Sequence, residues 1–383
     1  LYTSVLQTPI LLLGSLIILV LGFKELGGWD EMMRVCGAVT VNDYGDAMTN
    51  LIRSNDDANF PWLGALIGSA IIGFWYWCTD QFIVQRVLSG KNEKEARRGT
   101  IFGAYLKLLP VFLFLIPGMI AFALHQKYIG AGGEGFLPML ANGTANADAA
   151  FPTLVAKLLP AGVKGLVVCG ILAALMSSLA SLFNSSAMLF TIDFYKKYRP
   201  KASEKTLLYV GRVATVVVVV LGILWIPVMK SVGSVLYNYL QDVQSVLAPG
   251  IAAAFLLGIC SKKATPKGGM WGLIAGFIIG ITRLGAKVYY TSGATFSDSW
   301  FKYLFYDTNW LFFCGGMLLF CMLVIVVVSR FTTPAPAEQI VGLTFGSTTD
   351  EQKAVTRASW NKWDVIHSAI IILITVVFYW YFW

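Results

Sequence analysis

Apolar positions along this chain follow neither a period of two nor a single helical stripe; they gather in long blocks. The blocks cover approximately 5–23, 62–83, 102–124, 165–192, 208–230, 234–259, 268–288, 309–329 and 364–382. Crossing roughly 30 Å of hydrocarbon takes about 20 helical residues, so each block predicts a transmembrane helix and the chain an all-α integral membrane protein. Between them, segments 24–61 and 125–164 are polar and rich in Gly, Asn and Asp, with a short helix predicted over 152–159. Segment 331–363 opens on Pro334 and Pro336 and then turns charged, like a linker before the ninth block. That block ends in an aromatic run, Phe378-Tyr379-Trp380-Tyr381-Phe382-Trp383, which suits a membrane interface.

Composition agrees with the pattern. Hydrophobic residues make up 57% of the 383 positions and charged residues 13%, where a soluble domain carries about 25% charged. The net charge of +8 raises nucleic acid as a partner, but the charges lie on no one face. They alternate between loops. One set of loops holds Arg86, Lys91, Lys94, Arg97, Arg98, Lys196, Lys197, Arg199, Lys201, Lys205, Lys262, Lys263, Lys267, Arg330, Lys353, Arg357 and Lys362. The opposite set holds only Lys24, Arg34, Arg53, Lys127, Lys157, Lys164, Lys230 and Lys302. Positive loops stay in the cytoplasm, so the bias predicts a multi-pass protein of the cell (plasma or inner) membrane with its C-terminus outside. The basic balance is a topology signal, and no nucleic-acid partner is expected.

Leu1 lies at the head of an apolar block, and the chain reads as a fragment of a longer protein. Five of six cysteines fall in or beside blocks, and Cys36 alone is in an outer loop; no metal spacing or disulfide framework appears. Asn142-Gly143-Thr144 matches a glycosylation acceptor pattern.

Polar residues inside apolar blocks are costly, so they mark candidate chemistry. In the fourth block Ala174, Ser177 and Ser178 stand at i, i+3 and i+4 and share a helical face. Two hydroxyls and a carbonyl offer oxygen ligands to a small cation; alternatively the serines bond back to their own helix or simply pack. The second block carries Trp75-Tyr76-Trp77-Cys78-Thr79-Asp80-Gln81, an apolar platform with polar tips that fits a sugar's C–H faces and hydroxyls, or an interfacial aromatic belt. Lys107 sits about one turn inside the third block, where it either snorkels to the interface or donates to a ligand. Tyr237, Gln241, Gln244 and Ser245 form a stripe in the sixth block that can bridge helices or bind substrate. Arg212, Arg283 and Lys287 lie near block ends and read as interface anchors.

Together with Tyr105-Leu106-Lys107-Leu108, Phe151-Pro152-Thr153-Leu154, Met176-Ser177-Ser178-Leu179 and Phe190-Thr191-Ile192-Asp193, these strings resemble the sodium:solute symporter family, and within it the sodium/glucose cotransporters, over essentially the whole chain. The resemblance implies two inverted five-helix repeats with substrate and ion near the bilayer midplane. The first span would close the first repeat, the second to sixth would form the second repeat, and the last three would be peripheral. It implies a sodium ion held by the Ala174 carbonyl, Ser177 and Ser178. It also implies a sugar met by Tyr76, Trp77, Lys107 and Gln241, with Gln244 nearby and Tyr76 and Tyr237 as inner and outer gates. Gly73 stands where sugar carriers tend to have Thr or Asn. Ser4 and Ala180 replace oxygen ligands of a second sodium site, so one sodium per sugar is expected.

The implied activity is sodium-driven symport of a glucose- or galactose-like hexose by alternating access, without enzymatic chemistry, since no nucleophile–base pair or metal cluster stands in the blocks. Other readings are a symporter of inositol, another polyol or a monocarboxylate, or a sodium-dependent sugar sensor or leak channel.

Overall fold

A computed structural model describes residues 2–140, 143–232, 236–291 and 299–382; side chains of 2–7, 228, 230–232 and 299 fall outside it. The Ser4 side chain and Asn142 therefore lie outside the described residues. Among these residues nine helices are long and apolar enough to cross a membrane. The helices used below are α1 (Tyr2–Leu26), α2 (Trp29–Gly37), α3 (Trp62–Phe74), α4 (Gln81–Leu88), α5 (Glu93–Pro110), α6 (Ile116–Gly130), α7 (Ala150–Leu158), α8 (Ala161–Leu189), α9 (Glu204–Val232), α10 (Leu236–Cys260), α11 (Pro266–Thr291), α12 (Trp310–Arg330), α13 (Asp350–Ser359) and α14 (Lys362–Tyr381).

Several boundaries differ from the hydropathy pattern for local reasons. Block 62–83 is not one helix. After α3 the chain makes a wider π turn, Trp75–Thr79. Both the Thr79 hydroxyl (2.7 Å) and the Asp80 amide (3.1 Å) donate to the Trp75 carbonyl, so the hydroxyl competes with the regular ladder. Asp80 then leaves helical geometry, and its carboxylate accepts from the Phe82 amide at 3.0 Å to start α4. A second π turn, Val111–Leu115, follows Pro110, whose ring cannot donate to the ladder. The expected linker contains helix α13, closed by a reciprocal capping box between Thr349 and Gln352.

The chain divides into two compact units. The first comprises Leu1–Leu51, Phe102–Ile226 and Thr375–Trp383. Its core joins Ile18, Leu26, Met32, Cys36, Ile120, Leu124, Leu154 and Val167. Helix α1 lies against α6 and α8 at glycines: a Cβ on Gly22 would stand 3.0 Å from Ile120 Cγ2, and one on Gly170 3.0 Å from Ile10 Cγ2. His125 is buried, and its Nδ1 accepts from the Leu137 amide at 3.0 Å, which ties the 131–140 loop down. The terminal aromatic run does more than anchor. Phe382 is buried, its carbonyl accepts from the Leu51 amide at 2.8 Å, and its ring lies 6.3 Å from that of Trp29.

The second unit comprises Ile52–Ile101 and Pro227–Ile374. Helices α3, α10 and α11 pack around α12, with Leu311, Cys314, Met317, Cys321 and Ile325 buried between them. Close approach depends on a glycine every fourth residue of α11: Gly268, Gly272, Gly276 and Gly280 are all buried. A Cβ on Gly276 would meet Cys321 Sγ at 3.1 Å and the Gly250 Cα at 3.3 Å; one on Gly280 would lie 3.0 Å from the Val246 carbonyl oxygen. Small residues at this spacing let membrane helices approach backbone to backbone.

Candidate functional site

Within the second unit the π turn Trp75–Thr79 packs against α10. The turn presents Tyr76, half-buried, beside Trp77, with ring centroids 5.2 Å apart and edge to face. Gly73 has open space where a side chain would stand. On α10, Tyr237 is exposed and Gln241 and Gln244 are half-buried; the Gln241 amide donates to the Tyr237 hydroxyl at 2.7 Å. The structure thus gathers Tyr76, Trp77, Gly73, Tyr237, Gln241 and Gln244 into one unit. Ser245, one turn beyond Gln241 on the same stripe, is fully buried, and its hydroxyl donates to the Asp242 carbonyl at 2.6 Å. Thr79 and Asp80, expected as polar tips, serve the helix break instead.

Arg283 and Lys287 are not interface anchors. Arg283 is wholly buried. One of its terminal nitrogens donates to the Thr308 carbonyl at 2.9 Å and stands 3.4 Å from an Asp242 oxygen. Its flat face lies 4.0 Å from the centre of the Phe313 ring. Lys287 Nζ approaches the other Asp242 oxygen at 2.7 Å. A guanidinium deep in a bundle is tolerated where a carboxylate, a carbonyl and an aromatic face replace its water. Asp242 went unnoticed in the sequence. Its signal was a lone carboxylate in one apolar block, with Arg283 and Lys287 one turn apart in the next.

The first unit holds the remaining candidates. Ala174 and Ser177 are half-buried on α8 and Ser178 is exposed. Farther along, Ser181 and Ser185 donate back to the carbonyls of Ser177 (3.1 Å) and Ser181 (2.9 Å). The Ser178 hydroxyl makes no hydrogen bond to a described residue. Ala180 is exposed on the same helix. Lys107 is exposed on α5, one turn before Pro110.

These features are those of an all-α, multi-pass membrane protein. Residues 1–276 match the sodium:solute symporter family. The chain is 38% identical over 349 residues to sodium/glucose cotransporter 1 of Ovis aries, which covers 87% of this chain and 53% of that protein. It is 36% identical over 355 residues to sodium/myo-inositol cotransporter 2 of Homo sapiens (90% and 53%) and 34% identical over 403 residues to a sodium/mannose cotransporter of Bos taurus (100% and 67%). The chain spans about half the length of most of these relatives. It belongs to the sodium:solute symporter family, a family of transporters.

Proposed function

We propose that the protein is a sodium-coupled symporter of a neutral sugar, a hexose or a closely related polyol. The observation that carries this reading is the packing of the aromatic turn Trp75–Thr79 against the α10 helix that bears Gln241. An aromatic face for C–H groups and an amide for hydroxyls, carried on elements that pack together, are the chemistry a sugar requires. The relatives' names, which include glucose, mannose and myo-inositol, support the same class. In this reading Tyr76 closes beneath the substrate with Trp77 beside it, Tyr237 gates it from outside, and Gln241 donates to its hydroxyls, with Gln244 at the rim. The open space at Gly73 leaves room for a hydroxyl-bearing ring.

A single sodium ion is held by the Ala174 carbonyl with Ser177 and Ser178, and Ala180 offers no ligand for a second. One sodium entering down the membrane potential supplies about 2.3 kcal/mol per 100 mV, plus its concentration term. The nine spans lie in the cell membrane, with the loops of greater positive charge in the cytoplasm and the C-terminus outside.

The test is uptake into proteoliposomes by the full-length protein, with labelled glucose, galactose, mannose and myo-inositol under an inward sodium or potassium gradient. Sodium-specific accumulation above equilibrium of one or more of these is expected. Equilibration without accumulation would replace symport with a leak or sensor, and no sodium-dependent flux of any of them would remove the sugar assignment.

A further inference from the structure

The substrate reading gives no role to the charges between α10 and α11, and stability does not account for them either. One carboxylate, Asp242, faces two cations, Arg283 at 3.4 Å and Lys287 at 2.7 Å, so the cluster carries an excess positive charge inside the bundle. Arg283 Nε and its second terminal nitrogen are buried without a hydrogen-bond partner. Such donors cost free energy, and apolar side chains of similar volume commonly hold helices together as well or better. What a charge cluster adds over apolar packing is a single setting of one helix against another, since a greasy interface can slide and a fixed ion pair cannot.

The setting matters for what stands next to it. Asp242 directly follows Gln241, and the Gln241 amide bonds Tyr237 at 2.7 Å. A one-residue turn of α10 would swing Gln241 through about 100° toward the interior and carry Asp242 off its partners. The Thr308 carbonyl, just before α12, and the Phe313 ring on α12 complete the clamp. We propose that Arg283 and Lys287 are positioning residues for substrate recognition: by gripping Asp242 they fix the rotation and depth of α10 that present Gln241 and Tyr237. The inference rests on the proposed role of Gln241 as a sugar contact.

The experiment uses the full-length protein in proteoliposomes and the triple variant Asp242→Asn/Arg283→Met/Lys287→Met, which removes the charges together and strands none. The variant is expected to melt in detergent close to the wild type, to keep the sodium half-saturation within about twofold, and to raise the sugar KM at least about tenfold. A folded triple variant with the wild-type sugar KM overturns the proposal. Lys287→Met alone, at the partly exposed end of the cluster, covers the case in which the triple variant does not fold. A sugar KM raised at least about threefold with unchanged sodium half-saturation is expected there, and an unchanged sugar KM overturns the proposal. Gln241→Ala, measured in parallel, separates the two levels. If it leaves the sugar KM unchanged, the substrate contact itself is wrong; if it raises the KM and the cluster variants do not, only the positioning role is.

Discussion

The two units solve the problem of polar groups in an apolar setting in opposite ways. On α8 of the first unit, hydroxyls replace charges, and Ser181 and Ser185 satisfy themselves on their own helix carbonyls one turn back. In the second unit, among the described residues, Asp242, Arg283 and Lys287 are held across helices by one another, with the Thr308 carbonyl and the Phe313 ring also on Arg283. A hydroxyl can be satisfied on its own helix, so Ser181 and Ser185 need no partner helix. A charge needs partners, so the second unit's polar chemistry exists only in the assembled bundle. The first arrangement tolerates loss of one member, and the second does not.

The largest expected effect follows from that contrast. Asp242→Leu leaves Arg283 buried without its carboxylate and is expected to cost about 3–5 kcal/mol, read as loss of folded protein in membranes or a large fall in melting temperature. Ser178→Ala should leave that melting temperature where it was, and a fall of similar size in both would erase the distinction between the units. Next comes the glycine seam. Gly280→Val places a side chain against the Val246 carbonyl and is expected to cost about 1–3 kcal/mol, whereas Gly285→Ala, which meets open space, should be near neutral. Comparable losses in both would mean that helix propensity rather than close approach sets the requirement.

Smaller effects concern recognition. Gln241→Ala should weaken sugar transport by about 1–3 kcal/mol in kcat/KM with little change in melting temperature. Ser178→Ala should raise the sodium half-saturation about tenfold, near 1.4 kcal/mol, with sugar affinity at saturating sodium less affected. Unchanged sodium dependence would leave the serines as packing residues. The smallest concerns Cys36, whose thiol donates to the Met119 carbonyl at 3.6 Å and whose burial pushes its pKa up to about 11. Because the thiolate is the reactive form, native protein at pH 8 should resist alkylation at Cys36 and label there only on unfolding. Rapid labelling of the native protein would show this part of the first unit opening readily.

Much of this was legible in order of residues. Nine apolar blocks predicted nine spanning helices because the bilayer sets a minimum apolar length and leaves few other ways to satisfy a backbone. The helical spacing of Ala174, Ser177 and Ser178 placed them on one face, since that needs only the period of the helix. The short helix over 152–159 was likewise local, and appears as α7. Tertiary structure decided the rest. At the break before Asp80 the Thr79 hydroxyl and the Asp80 amide share the Trp75 carbonyl, and hydropathy does not register that. Phe382 reads as an interfacial aromatic until Leu51 and Trp29 meet it from far along the chain. Arg283 reads as an anchor because a positive charge near a block end has two satisfactory environments, headgroup water or a buried carboxylate. Only the approach of α10 to α11, permitted by Gly276 and Gly280, put Asp242 within its reach.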